Sequence, residues 1–283
     1  STMRATCGGI DLDRFQLRYT IRQERKFPGA RWPVKMVVGN QNTVELGQWM
    51  YGEHAMRVDL KEVFASMPPL TTTRYVIPLT VAPEARELLA GINKMSLSAV
   101  RAGLQSGEPA MATVRRMLGL AKVKAAADEI AERVESGQAI LVGAWHTDVI
   151  DALRAEMSKR GYTVAALDGR TSAAQKQQMT EAWNNGDIQV FIGQIAAMGV
   201  SLNLQQGGSQ IIVVEEDWSP AIMDQFYARL WRFGQEQHVH VDILTSANKL
   251  DEALASISDT KARQHEIFNA VGREQTATQE NTQ

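Results

Sequence analysis

The stretch Gln225–Gln235, "QFYARLWRFGQ", sets Arg229 and Arg232 three residues apart. At about 100° per residue, a helix brings Gln225, Arg229 and Arg232 onto one face. Phe226, Leu230 and Phe233 then form an adjoining apolar stripe that anchors the helix and aims the guanidinium groups. Ser219 is placed to cap this helix, Pro220 suits its first position, and Gly234 can end it in a left-handed turn. Planar forks that keep their charge match phosphate oxygens. Taken alone, two arginines at this spacing more often decorate an exposed helix face.

Other chemistry is excluded by inspection. No Gly is followed by Lys, so the phosphate-cradling Gly-x-x-x-x-Gly-Lys-Ser/Thr loop does not occur in this chain. No two glycines are spaced Gly-x-Gly, which removes the dinucleotide fingerprint. One cysteine, Cys7, and five scattered histidines give no metal spacing. His238 and His240 alternate on a candidate strand and read as surface or packing residues. The run "IIVVEED" (211–217) has the look of a magnesium-binding strand end, but that role needs a phosphate loop beside it. Its acids therefore read as residues at the exposed carboxyl end of a strand.

The chain has 283 residues, 44% hydrophobic and 22% charged, with a formal charge of −2. These are the proportions of an ordinary globular protein. A single cysteine excludes an internal disulfide framework and suits a reducing, cytoplasmic compartment. No apolar run approaches the roughly 20 residues that span a bilayer, so no membrane partner is expected. The opening Ser1-Thr2-Met3 is unlike a natural start, which predicts a piece of a longer protein. Between Arg14 and Lys35, seven basic residues face only Glu24, with Phe15, Tyr19, Phe27 and Trp32 interleaved. That run fits a nucleic-acid surface or a solvated helix face.

The elements that must position these groups become regular from residue 139. "AILVGAW" (139–145), "YTVAAL" (162–167), "IQVFIG" (188–193), "QIIVVEE" (210–216) and "VHVDILT" (239–245) read as buried strands. Thr147 can cap a helix that stops before Gly161, and Ser172 with Gln175 forms a capping box for the next. Alternating strands and helices predict an α/β three-layer sandwich with a mostly parallel sheet. Four segments are expected. Residues 1–74 are irregular and basic, and 75–138 form a linker and helical region. Residues 139–271 form the sandwich, and 272–283 a disordered tail.

In this context the arginine pair reads differently. "GVSLNL" (199–204), "DWSP" (217–220) and "QFYARLWRFGQ" together resemble the second RecA-like lobe of the Swi/Snf family of superfamily-two helicase-like ATPases, closest to its annealing-helicase branch. "ILVGAWHTDVIDAL" (140–153), "LDGRTS" (167–172) and "GLAKV" (119–123) are similar to further pieces of that lobe. "FQLRYT" (15–20) and "SMPPL" (66–70) resemble the end of the first lobe and the join between lobes. Ser201 replaces the second glycine of one motif, Arg170 stands where a small residue is common, and Phe226 and Trp231 replace small and histidine residues of another.

The resemblance implies an ATP-driven motor on double-stranded DNA. ATP and Mg would be held mainly by a first RecA-like lobe of the same protein. Arg229 and Arg232 would supply catalytic charge, with Gln225 and Gly199 also at the ATP site. His146, Gly169, Arg170, Thr171 and Asn203 would contact DNA, near the carboxyl ends of the strands. Lacking a phosphate loop, the chain alone is expected to hydrolyse no ATP. The alternatives are a stand-alone nucleic-acid-binding module with a degenerate helicase fold, or another superfamily-two helicase motor.

Overall fold

In a computed structural model of the chain, residues 12–26, 31–53, 67–198 and 202–280 are described. The chain has two compact units, 64–259 and 1–63 with 260–283.

The larger unit carries the expected sheet. Strands β3 (Leu70–Val76), β4 (Ile140–Ala144), β5 (Val164–Leu167), β6 (Val190–Gln194), β7 (Gln210–Val213) and β8 (Val239–Thr245) lie in the order β3-β8-β7-β4-β6-β5, every pair parallel. Side chains alternate across the pleat, as the period of two requires. Ile140, Val142 and Ala144 enter one apolar cluster with Val149, Ile150 and Leu153, whereas Leu141 enters the opposite one with Trp183, Phe191 and Phe226. This is the RecA-like α/β sandwich, with both faces of a parallel sheet covered.

The helical region is three helices: α3 (Pro83–Lys94), α4 (Leu97–Gln105) and the long α5 (Pro109–Glu135). With the start of the last helix, α10 (Lys249–Glu280), they bury a third cluster around Leu89, Val100, Leu118 and Leu250. The sheet's own crossovers are α6 (Thr147–Lys159), α7 (Ala173–Asn184), the short α8 (Ile195–Met198) and α9 (Pro220–Tyr227). Ser172 and Gln175 form the capping box on α7. Gly161, Gly186 and Gly234 all take positive φ at chain reversals, where a Cβ would be strained.

Two boundaries differ from the sequence reading. The division expected at 74/75 falls inside β3, which pairs along its length with β8 and so belongs to the sandwich. Its mostly exposed pattern hid it from a search for apolar runs. The tail expected to be disordered continues α10 to Glu280, and its Glu, Gln and Ala residues favour helix.

In the smaller unit, the region read as irregular holds α1 (Leu12–Tyr19), an antiparallel hairpin of β1 (Thr20–Arg25) with β2 (Val34–Asn40), and α2 (Thr43–Glu53). The basic run is thus a helix end and a hairpin rather than one helix face. Part of its charge is answered locally, by Glu45 for Arg18 and by Glu24 across the strands for Lys35.

Candidate functional site

The arginine segment is built differently from the expected continuous helix. α9 stops at Tyr227, and Leu230 N and Trp231 N both donate to Tyr227 O in the tight turns that follow. The Arg229 carbonyl is taken by Leu204 N instead of a later helical turn. Phe226 and Leu230 are fully buried as expected, but Phe233 is 66% exposed and lies outside the buried stripe. Trp231, half-buried, donates from Nε1 to Pro68 O (2.8 Å) and fastens the "SMPPL" join to this segment. Ser219 is the N-cap residue of α9, but its side chain makes no cap bond; its N–H instead donates to Asp217 Oδ1 at 2.7 Å.

The two guanidinium groups nevertheless converge. Arg229 Nη1 and Arg232 Nη1 both donate to Leu202 O, at 3.3 and 3.4 Å. Arg229 Nε donates to Gln225 O (2.8 Å), and Arg232 also donates to Asn203 Oδ1. Every one of these acceptors is neutral. Arg74, Arg116, Arg133, Arg160 and Arg170 each reach a carboxylate, whereas Arg229 and Arg232 make no ion pair among the described residues. Burial, and then the adjacent Arg232 charge, push the Arg229 guanidinium below its ordinary value. Two like charges are thus held together over neutral oxygens, without a carboxylate partner among the described residues. Gln225 is exposed beside them, while Gly199 and Ser201 lie outside the described residues.

The residues nominated for DNA divide between two ends of the sheet. His146, Gly169, Arg170 and Thr171 follow the carboxyl ends of β4 and β5, as expected. Gln194, at the end of β6, ties them together: Oε1 accepts from Gly169 N (3.2 Å) and Nε2 donates to Trp145 O (3.1 Å). Arg170 is 64% exposed on its side chain but already engaged with Asp168 and with both oxygens of Asp151. Those carboxylates raise its pKa, and Arg170 in turn holds the Asp168 carboxyl below the usual range. Thr171 donates its backbone N–H to Asp168 O, and its Oγ1 accepts from Asp168 N. Asn203 is placed elsewhere. Its carbonyl accepts from Asn184 Nδ2 at the end of α7, and Gly208 packs on Ala139 just before β4. Segment 203–208 therefore runs along the amino ends of the strands, with Arg232 and not with His146.

Sequence reasoning missed the polar core beneath His146. Glu215, read as an exposed acid, is 5% exposed. Its Oε2 accepts from Trp145 N and His146 N, both at 2.9 Å, and its Oε1 lies 2.7 Å from His146 Nδ1. A Cβ on Gly119 would stand 2.4 Å from Glu215 Oε1, so the glycine of "GLAKV" is there to admit this carboxylate. Lys122 of the same motif is buried and donates to Val214 O, Leu244 O and Asp251 Oδ1. Arg115, also buried, lies 5.0 Å from the Trp145 ring centroid and 5.3 Å from that of Trp218, and donates to Glu216 O. Burial lowers the Arg115 pKa against the opposing pull of Glu215 and Asp217. Glycine and lysine in one helix, three residues apart, were the only available signal.

His238 and His240 stack at 3.9 Å, and His238 Nε2 meets Thr71 Oγ1 at 2.7 Å. Among the described residues, no group of three or more His, Cys, Asp or Glu side chains could hold a metal, and no helix is long and apolar enough to cross a membrane.

Comparison with known proteins converges on one family. Residues 121–234 match the model of the helicase conserved C-terminal domain. Human DNA repair and recombination protein RAD54B is 34% identical over 111 residues, covering 38% of this chain and 12% of that protein. Helicase swr1 of Schizosaccharomyces pombe is 35% identical over 114 residues, 40% of this chain and 9% of its own length. Mouse SWI/SNF-related matrix-associated actin-dependent regulator of chromatin subfamily A member 1 is 28% identical over 174 residues, 60% of this chain and 16% of the relative. The chain thus spans a small part of each. In fold, it is similar to the C-terminal part of the Fun30 ATPase domain, with TM-score 0.52 and 16% identity over 74% of this chain and 98% of that one. The Sulfolobus solfataricus SWI2/SNF2 ATPase core domain gives a TM-score of 0.51 at 19% identity, covering 73% of this chain and 46% of its own.

Proposed function

We propose, from a chain that is the C-terminal lobe of a Swi/Snf-family superfamily-two helicase, that the whole protein is an ATP-driven translocase on double-stranded DNA. In this reading the lobe brings Arg229 and Arg232 to the phosphates of an ATP whose Mg and main binding loop belong to a first RecA-like lobe. Phosphoryl transfer is catalysed mainly by positioning and by neutralising charge on the transferred oxygens. The observation that carries the proposal is the convergence of two guanidinium groups on Leu202 O with neutral partners only. Asn203 orients Arg232, and Gln225 supports Arg229 through its carbonyl. Gly199 belongs to the same site by its motif alone.

DNA contacts are assigned to the opposite edge, at His146, Gly169, Arg170 and Thr171. These residues follow the carboxyl ends of β4 and β5, where parallel sheets bind ligands.

The test is DNA-stimulated ATPase activity of the full-length protein. Arg229→Ala and Arg232→Ala should each lower turnover by about 10³-fold, the range for a supplied arginine, while ATP binding by the first lobe persists. Turnover within a few-fold of wild type in both variants would overturn the assignment. The present chain alone should hydrolyse no ATP, and measurable turnover by it would exclude the division of labour between lobes.

A further inference from the structure

We infer that Asn184, the last residue of α7, is a positioning residue for Arg232 that acts through Asn203, an inference that rests on the reading of the arginine pair above. Residues 202–204 lie between two elements. Toward the arginines, Leu202 O and Asn203 Oδ1 accept from Arg232 Nη1, and Leu204 N donates to Arg229 O. Toward α7, Asn203 O accepts from Asn184 Nδ2 and Leu204 O from Trp183 Nε1, both at 2.8 Å. Three consecutive residues thus connect the end of one helix to both arginines.

The connection passes through one rigid unit. A trans peptide is planar, with its C=O and N–H pointing in opposite directions. The 203–204 peptide has its carbonyl on Asn184 Nδ2 and its N–H on Arg229 O. With both ends held the plane cannot tilt, and the Asn203 side chain that leaves it meets Arg232 in a fixed direction. Releasing the carbonyl frees the plane and, with it, the orientation of the guanidinium group.

The two α7 residues divide the work. Trp183 is fully buried against Phe191, and a Cβ on Gly207 would stand 2.3 Å from its Nε1, so it seats the whole segment as part of the core. Asn184 is only half-buried, and its loss leaves that seat in place. Asn203 O only accepts, so the nitrogen of the Asn184 amide must face it. The remaining Oδ1 is buried with no hydrogen-bond partner among the described residues. An acceptor left unpaired in the interior costs stability. Stability of the helix end therefore does not account for an asparagine here, whereas the donor it gives to Asn203 does.

The experiment is steady-state DNA-stimulated ATPase activity of the full-length protein. Asn184→Ala should lower kcat by about 10–100-fold, the scale of an ångström's misplacement, and leave the KM for ATP within about twofold, since in this reading the other lobe holds the nucleotide. Asn203→Ala should cause a loss of the same order, and the two together should lose no more than either alone. Asn184→Asp, which keeps the size and replaces the donor by an acceptor, should lower kcat in the same way and tests the contact without shortening the side chain. Wild-type kcat in both Asn184 variants, a change in KM alone, or an Asn184→Ala loss that multiplies with that of Asn203→Ala overturns the inference, while an impaired Arg232→Ala keeps the arginine reading. Wild-type turnover in Arg232→Ala overturns that reading and this inference with it.

Discussion

Gly119→Ala sets helix propensity against packing, and the two predict opposite signs. In the middle of α5, alanine should stabilise by about 0.5–1 kcal/mol over glycine through backbone entropy alone. The structure places the new Cβ 2.4 Å from Glu215 Oε1, 2.7 Å from its Cδ and 2.9 Å from Val149 Cγ2. Val149 is fully buried, and Glu215 is tied to the Trp145–His146 backbone, so neither can retreat freely. Overpacking of this kind costs about 1–3 kcal/mol. Each displaced hydrogen bond to a buried charge adds about 1.5–3 kcal/mol. Losing one such bond outweighs the propensity gain, and the expected net loss is about 2–4 kcal/mol. Gly91, in α3 with nothing within 4 Å of its built Cβ, is the matched control. Urea unfolding should show Gly91→Ala unchanged or slightly stabilised and Gly119→Ala with a lower midpoint at constant slope. In a Glu215→Ala background the cost of Gly119→Ala should fall, because the carboxylate is gone and only the contact with Val149 remains. Equal stabilisation by both alanines would refute the reasoning.

Three further outcomes follow from the same polar architecture. Asp151→Ala should tighten DNA binding about threefold at low salt, since it frees Arg170 and removes a repelling charge; unchanged or weaker affinity would count against Arg170 as a contact. Lys122→Met should cost about 3–5 kcal/mol in urea unfolding, because it strands buried Asp251 as well as Val214 O and Leu244 O; a loss below about 1 kcal/mol would show that the pair is dispensable. The Asp168 carboxyl is held below its ordinary value, first by its side-chain hydrogen bond to Arg170. A depressed folded value contributes stability above the unfolded pKa of about 3.9 and loses it as pH falls through the folded one. Arg170→Ala should therefore move acid unfolding to higher pH, and an unmoved midpoint would refute the coupling.

The sandwich was legible because its strands are apolar runs between clear stops, and burial on both faces demands that pattern. β3 was not, since "LTTTRYV" is mostly exposed and declares itself only by pairing with β8. The arginine pair was legible by motif and wrong in local geometry. Periodicity carried the helix through Phe226, Leu230 and Phe233, yet two carbonyl choices end it: Arg229 O turns to Leu204 N, and Tyr227 O serves two donors. The first depends on a segment more than twenty positions upstream, which no local pattern reports. Glu215 was misread for the same reason. An acid after a strand is usually exposed, and here the missing Cβ of Gly119, far earlier in the chain, is what allows it inside.

The two candidate contact sets stand at opposite ends of one packed sheet, and this constrains how they can communicate. Trp145 and Trp218 both lie against the Arg115 guanidinium, so the turn carrying His146 and the turn that begins α9 share one brace. From there α9 runs to the arginines through Phe226, which is fully buried and so close to Gly143 that a Cβ there would stand 2.8 Å from its ring. Moving Arg229 relative to His146 would break that packing and open a cavity, at about 3–5 kcal/mol for a ring the size of Phe226. A ligand gains nothing by forcing such a change when the lobe can move as one body. Under the proposed function, coupling between phosphate chemistry at the amino edge and DNA at the carboxyl edge would be carried by displacement of the whole lobe. Substitutions that loosen Phe226 should uncouple ATPase activity from translocation before they abolish either.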